Sequence, residues 1–287
     1  MRKLTDPGAT MEVVRRHGLV LQKKYGQNFL LDPRVMEKII RGSDIGKDDF
    51  VLEIGPGIGS MTQWLAEAAG RVAAVEIDGK LLPVLAETLA GFDNVTVVHQ
   101  DILKMDLPAF LAEHAAGMRI KAAANLPYYI TTPIVMKLLE EQIPFVSMTF
   151  MVQKEVAERM AAGPGTKSYG ALSLAVQYYC EAEVIANVPE NCFFPRPKVG
   201  SAVVRLLRRE KPAVDCGDPE AMRRIIRGAF GQRRKTLANA LSGAGEAYEK
   251  PQIYAALRAM GLPETIRGEA LTLAEFAELT DRLCFNA

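Results

Sequence analysis

From about residue 50 the chain alternates short β-rich runs with helical stretches, and no other feature limits its fold as strongly. The strand candidates are Phe50–Ile54, Val72–Ile77, Val95–His99, Ile120–Ala124 and Phe145–Val152. Between them stand helix candidates at Met61–Ala69, Gly79–Ala90, Thr132–Glu140 and Lys154–Ala161. Strands that alternate with helices join through right-handed crossovers, which predicts an α/β domain with a parallel sheet covered on both faces. Two more strands, Ala182–Val188 and Ser201–Leu207, flank a Pro-rich turn and read as an antiparallel edge hairpin. Past Arg209 the strand signal ends, and Pro219–Ala229, Arg234–Leu241, Pro251–Met260 and Leu273–Leu283 read as helices. The charged, Pro-containing stretch 208–215 therefore predicts a boundary between a domain of residues 1–210 and a smaller helical domain of residues 211–287.

Composition narrows the class further. Apolar residues at 49% and charged residues at 24% are globular values, which excludes a disordered or collagen-like chain. No apolar run reaches the ~18–20 residues of a membrane span. The basic start of the chain lacks an apolar core segment, so it does not read as a secretory signal. The four cysteines (Cys180, Cys192, Cys216, Cys284) lack metal-ligand spacing and are too few for a disulfide framework. No metal and a reduced, cytoplasmic compartment are the expectations. The net charge of +1 conceals an asymmetry. Residues 1–26 carry six basic residues against two acids, +4, and residues 220–240 carry six against one, +5, which leaves −8 on the rest. Separated blocks of one sign suit a polyanion that touches part of the surface, although on charge alone a pair of solvated faces is the more ordinary explanation.

The segment Val51-Leu52-Glu53-Ile54-Gly55-Pro56-Gly57-Ile58-Gly59 leaves a buried strand and enters a helix. Its glycines permit a tight turn and a close ligand approach, Gly55 and Gly57 above all. The spacing is G-x-G-x-G, and Glu53 stands two residues before the first glycine. A carboxylate there repels a pyrophosphate and suits a ligand that carries an ammonium, such as the methionine end of S-adenosylmethionine. A dinucleotide-dependent dehydrogenase is disfavoured on both counts. Two further strands end in acids: Glu76 can accept hydrogen bonds from ribose hydroxyls and Asp101 from an adenine amine. Three acids at successive carboxyl ends of a doubly wound sheet point to one adenosine-bearing ligand at the switch point.

After the fourth strand comes Asn125-Leu126-Pro127-Tyr128-Tyr129-Ile130-Thr131-Thr132-Pro133. An exocyclic adenine amine is a poor nucleophile because its lone pair is delocalised into the ring. Acceptors at its two N–H bonds draw it toward tetrahedral geometry; the Asn125 side chain and the Leu126 carbonyl can do this, with Pro127 fixing the loop. Tyr128 offers an aromatic face for an unstacked base. Catalysis of this kind rests on positioning rather than on a general base.

At these residues the chain resembles the ribosomal RNA adenine N6-dimethyltransferases. The motifs Tyr25–Leu30, Glu53–Gly59, Val75–Asp78, Gln100-Asp101, Asn125–Tyr128, Phe193–Ser201 and Phe230–Leu237 stand in that family's order, and the likeness runs from about residue 15 to about residue 280. The resemblance implies a class I S-adenosylmethionine-dependent methyltransferase fold, Rossmann-like, with a mostly parallel seven-stranded sheet and a smaller C-terminal helical domain. The small-subunit branch is the nearest match. It implies dimethylation of two adjacent adenosines near the 3′ end of 16S rRNA in the immature small ribosomal subunit, by a monomer, with four S-adenosylmethionine molecules consumed. Carried over by position, Asn28 and Leu30 close over the methionine part of the cofactor, Gly55 contacts its backbone side, Glu76 the ribose and Asp101 the adenine. Asn125 bridges cofactor and target, and Phe193 sandwiches the flipped adenine opposite Tyr128, with Phe194 able to take that part if the register slips.

The Phe230–Leu237 stretch is expected to set Arg233, Arg234 and Lys235 at the start of a helix, with Arg223, Arg224 and Arg227 preceding at helical spacing, as a face for RNA phosphates. The loop 163–170 reads as a mobile element near the substrate or as a plain connector. Two competing readings remain: the large-subunit rRNA adenine methyltransferases of macrolide resistance, and a ribosome-assembly factor in which methylation is secondary.

Overall fold

The computed structural model describes residues 2–19, 28–115, 117–141, 143–243 and 248–285. Its strands are β1 (Phe29–Leu30), β2 (Asp49–Ile54), β3 (Arg71–Glu76), β4 (Val95–His99), β5 (Arg119–Asn125), β6 (Phe145–Gln153), β7 (Cys180–Val188), β8 (Phe193–Phe194) and β9 (Ser201–Arg208). Its helices are α1 (Pro7–Arg16), α2 (Pro33–Ser43), α3 (Ser60–Ala68), α4 (Leu82–Thr88), α5 (Leu107–His114), α6 (Thr131–Glu140), α7 (Lys154–Met160), α8 (Ala171–Tyr179), α9 (Pro219–Gly231), α10 (Leu237–Gly243), α11 (Lys250–Ala259) and α12 (Leu273–Phe285).

Seven strands form one sheet in the order β4-β3-β2-β5-β6-β9-β7. The pairs β2–β3, β3–β4, β2–β5 and β5–β6 are parallel, and β9 runs antiparallel to β6. The order reverses at β2, whose neighbours are β3 on one side and β5 on the other. This is the switch point, where crossovers depart to opposite faces and leave a crevice at the carboxyl ends. Every residue of β2 is buried, which accounts for its nearly continuous apolar run. One charge is buried in the neighbouring strand: Lys121, 3.0 Å from the Asp49 carboxylate, which Arg119 also meets at 2.8 Å. Charges so placed persist in a sheet only when paired.

Three helices outside the sequence-based list, α1, α2 and α5, begin with a signal that could have located them. Asp6, Asp32 and Asp106 each accept a hydrogen bond from a first-turn backbone N–H, and proline occupies one of the first two helical positions. The same device opens α9 through Asp218. Proline gives up an N–H that the first turn cannot use, and such a cap contributes about 1 kcal/mol.

The chain divides into two compact units, residues 1–157 with 181–208 and residues 158–180 with 209–287. One cut falls between residues 208 and 209, and Glu158–Cys180 groups with the helical unit instead of the sheet. The reason is local packing. Tyr169 is fully buried and donates its hydroxyl to the Leu271 carbonyl (2.9 Å), and its ring meets Phe230 edge-on at 5.9 Å. Loop 163–170 is correspondingly tied down: the Gly165 N–H donates to the Glu269 carbonyl at 2.8 Å, and Arg233 reaches the Thr166 carbonyl at 3.2 Å.

In the first unit, Leu4, Ala9 and Val13 of the N-terminal segment share a buried cluster with Phe29, Ile58, Leu81 and Val84. The Leu4 N–H donates to Gln63 Oε1 at 3.0 Å, and Gln63 Nε2 donates to the Thr88 carbonyl at 3.1 Å. The basic residues of this segment are largely met by acids of the same unit: Arg2 by Asp6 at 2.7 Å, Lys3 by Glu67 at 2.5 Å and Arg16 by Glu87 at 2.5 Å. Charge counting treats them as available to a polyanion, whereas the fold uses them internally. Lys23, Lys24 and the Tyr25-Gly26-Gln27 part of the first motif lie outside the described residues.

Candidate active site

The carboxyl ends of β2, β3 and β5 open into a cleft, the place where doubly wound sheets bind their ligands. Asn28, Leu30, Glu53, Gly55, Gly57, Glu76, Asn125, Leu126, Pro127 and Tyr128 all line it. So do Phe29, Met36, Ser60, Met61, Ile77, Leu81 and Tyr129, which sequence reasoning had not assigned to the site. These are mostly apolar, and a single sequence gives apolar residues no mark that separates cleft lining from core.

The glycine turn shapes the floor. Gly55, Gly57 and Gly59 have φ of 68°, 61° and 91°, a region that L side chains rarely adopt. At Gly57 a Cβ would also lie 3.1 Å from Phe29 Cε1, so a side chain there would have to displace that ring as well as strain the backbone.

Two carboxylates face the cleft, and both are buried. Glu76 accepts from the Gly57 N–H at 3.2 Å through Oε2 and from the Asp78 N–H at 2.8 Å through Oε1. It therefore holds the glycine turn and the end of β3 together. Burial raises its pKa despite these bonds. Glu53 is 1% exposed, and its Oε2 has no hydrogen-bond partner among the described residues. Burial, with the charge of Glu76 adding to it, pushes the Glu53 carboxyl up to about 8. Thr62 eases this only in part, and a buried acid with an unpartnered oxygen is costly and is relieved by a cation. A ligand that brings a cationic group to Glu53 and hydroxyl donors to Glu76 would relieve both carboxyls.

The Asn125 turn forms the opposite wall. Asn125 Nδ2 donates to the Asn28 carbonyl at 2.8 Å, which orients the amide and links β5 to the segment before β1. The Leu126 N–H is bound to the Met151 carbonyl of β6 at 3.0 Å. The Pro127 carbonyl accepts from the Ile130 N–H (3.1 Å) and from Thr131 Oγ1 (3.0 Å). Tyr128 is half-buried, and its hydroxyl lies 2.8 Å from Ser201 Oγ at the start of β9. That bond joins two motifs separated by more than seventy residues.

Two expected site residues lie elsewhere. Asp101 follows β4 and is outside the cleft lining; its Oδ1 accepts from the Leu103 N–H at 3.0 Å in a turn. Phe193 is 5% exposed, belongs to the core cluster that holds Leu30, Met36 and Ile39, and is not among the residues that line the cleft. The cause is the antiparallel pairing of β1 with β8, which sets Phe193 opposite Leu30 and Phe194 opposite Phe29. Phe194 is only partly buried and packs beside Phe29 and Ile58.

In the helical unit the basic motif is also placed differently from expectation. Arg233, Arg234 and Lys235 occupy the turn between α9 and α10, not a helix start. Arg223 is bound to Glu220 and to the Tyr179 hydroxyl (2.5 Å), and Arg233 is paired with Glu269 at 2.8 Å. Arg227, Arg234 and Lys235 are exposed.

A family model described as ribosomal RNA adenine dimethylase matches residues 18–277. The chain belongs to this family. Ribosomal RNA small subunit methyltransferase A of Lachnoclostridium phytofermentans is 54% identical over 283 residues, 98% of each chain. Among solved structures, a dimethyladenosine transferase from Plasmodium falciparum superposes with a TM-score of 0.72 at 27% identity, covering 88% of this chain and 95% of that one. The 23S rRNA methyltransferase ErmE superposes with a TM-score of 0.66 at 28% identity, covering 89% and 99%. The seven-stranded sheet with its glycine turn at the switch point is accordingly the class I methyltransferase fold.

Proposed function

We propose that this protein transfers methyl groups from S-adenosylmethionine to N6 of two adjacent adenosines near the 3′ end of 16S rRNA, giving N6,N6-dimethyladenosine. The observation that carries this reading is the juxtaposition of the Asn125 amide, held on the Asn28 carbonyl, with the buried Glu53 and Glu76 carboxylates in one cleft. Near-full-length identity of 54% to a small-subunit enzyme, against 28% for ErmE, favours the small-subunit substrate.

The cofactor fits the donor set: Glu53 suits its ammonium, Glu76 its ribose hydroxyls, and the apolar Ile77 and Leu81 its adenine. When bound, it supplies an electrophilic methyl group on a sulfonium that departs as a neutral thioether and needs no acid. The chain supplies the orientation. In the first transfer the Asn125 side-chain oxygen and the Leu126 carbonyl would accept the two N6–H bonds, one of which remains for the second, and so localise the nitrogen lone pair toward the methyl; N6 then gives up one proton to solvent after each transfer. Tyr128, steadied by Ser201, stacks on the target base. Phe193 supports the wall from below through Leu30 instead of touching the base, and Asp101 stays a candidate partner for the cofactor adenine, one residue past Gln100, whose N–H donates to the Glu76 carbonyl. The protein acts as a cytoplasmic monomer on the immature small subunit.

The test is methyl transfer from labelled cofactor to small subunits from a strain that lacks the modification, with the marked bases mapped. Two dimethylated adjacent adenosines near the 3′ end are expected. Labelling of large-subunit RNA would overturn the choice of substrate.

Among the basic residues, exposed Arg234 and Lys235 are placed to meet phosphates. Replacing both by Ala should weaken subunit binding and reduce the slope of log affinity against log salt by about 1–2. Replacing Arg223 or Arg233, which are engaged by Glu220 and Glu269, should lower the melting temperature instead. An unchanged salt slope in the Arg234/Lys235 double variant, read in filter-binding titrations, would remove those charges from the interface.

A further inference from the structure

The turn after β5 carries two consecutive tyrosines with different surroundings. Tyr128 is half-buried and bonded to Ser201, whereas Tyr129 also lines the cleft but is 59% exposed. Among the described large hydrophobic side chains only Phe285, at 62%, is more exposed. Core packing therefore does not account for Tyr129. Nor does a loose loop, since the turn is fixed by both bonds to the Pro127 carbonyl, and Thr131, which makes one of them, is 1% exposed. A rigid turn thus presents an aromatic ring at the mouth of the cleft, next to the residue that receives the target base.

We infer that Tyr129 is a stacking platform for the nucleobase adjacent to the target in the RNA chain. The inference rests on the functional reading above. An RNA strand that delivers one base into the cleft must leave its neighbour at the mouth, unstacked from it. An aromatic face there recovers the lost stacking, and it accepts any base because every base has a π face. With two adjacent adenosines as substrate, the ring holds the second adenine while the first is methylated. The two can then exchange places along Tyr128 and Tyr129 without a new binding surface being built. Tyr129 thereby serves RNA recognition at this site, and the cofactor pocket does not depend on it.

The experiment compares the full-length wild type with Tyr129→Leu, Tyr129→Ala and Tyr129→Trp on unmethylated small subunits. It measures steady-state transfer, base-resolved methylation of each adenosine, cofactor affinity and melting temperature. Tyr129→Leu keeps apolar bulk without an aromatic face, so it and Tyr129→Ala should raise KM for the subunit about tenfold. In both, kcat per bound subunit, cofactor affinity and melting temperature should change little, and singly modified RNA should accumulate. Tyr129→Trp should restore KM to within about twofold of wild type, as stacking predicts. A Tyr129→Leu variant with wild-type KM overturns the inference. So does a loss of cofactor affinity equal to the rise in KM, which would assign the ring to the cofactor pocket. If the wild type does not label small subunits at all, the functional reading itself fails. A wild type that marks both adenosines beside an unaffected Tyr129→Leu removes only the stacking role.

Discussion

Asn125→Ala lowers the rate of methyl transfer by about 10²–10³-fold, the size of effect seen when one preorganised polar contact to a reacting group is removed. The expected loss falls on kcat. Cofactor affinity changes less, because Glu53, Glu76 and the glycine turn remain. The bond from Asn125 Nδ2 to the Asn28 carbonyl adds a second consequence. Its removal takes one donor from that carbonyl, which costs roughly 0.5–1.5 kcal/mol. Asn125→Asp separates the two effects: it keeps an acceptor oxygen but cannot donate to Asn28. Single-turnover transfer with saturating cofactor, alongside equilibrium cofactor binding, distinguishes them. Turnover near the wild-type rate in Asn125→Ala would end the catalytic assignment.

Glu53→Gln is expected to move stability and cofactor binding in opposite directions. In the ligand-free protein the Glu53 carboxyl titrates at about 8, against 4.5 when unfolded, because burial disfavours its charge. The folded state therefore holds a proton that the unfolded state has lost between these values. Stability from this group is complete below pH 4.5 and falls as the pH rises toward 8. Gln carries no charge, so the variant lacks this decline. At pH 8 it should melt roughly 4–8 °C above wild type, and near pH 4.5 the two should coincide. A cationic ligand favours the ionised carboxylate. Cofactor binding to the wild type should then release a proton below pH 8 and strengthen as the pH rises, neither of which Glu53→Gln should show. Scanning calorimetry across pH and titration calorimetry in buffers of different ionisation enthalpy read the two arms. Equal melting curves at pH 8 would show that Glu53 is hydrated or paired in solution.

Much of the fold was legible because it depends on short-range patterns. The run Val51–Ile54, the glycines at 55, 57 and 59 and the acids at strand ends mark a doubly wound sheet whether or not the distant chain is considered. The site was legible to the same degree. Glu53, Glu76 and Asn125 each close a strand of the parallel sheet, and parallel strands that start from one edge bring their carboxyl ends to one place. Helices α1, α2 and α5 went unread although Asp6-Pro7, Asp32-Pro33 and Asp106-Leu107-Pro108 announce them: α1 and α2 stand before the alternating region, and α5, between β4 and β5, is a short helix of eight residues.

What the sequence by itself determined was the chemistry: which acids, which amide and which glycines stand at the ends of which strands. The tertiary structure decided which of the other residues share that place. Pairing of β1 with β8 turned Phe193 into the core, and the packing of Tyr169 drew Glu158–Cys180 into the helical unit. Ion pairs with Glu220 and Glu269 engaged Arg223 and Arg233 while Arg234 and Lys235 stayed exposed. Apart from the Glu220–Arg223 pair, which lies one turn apart on a single helix, each of these outcomes depends on a contact between residues whose meeting no local periodicity encodes. A strand end carries its chemistry in its own sequence, but the face that a ring or a charge presents is set by the neighbour the fold brings to it.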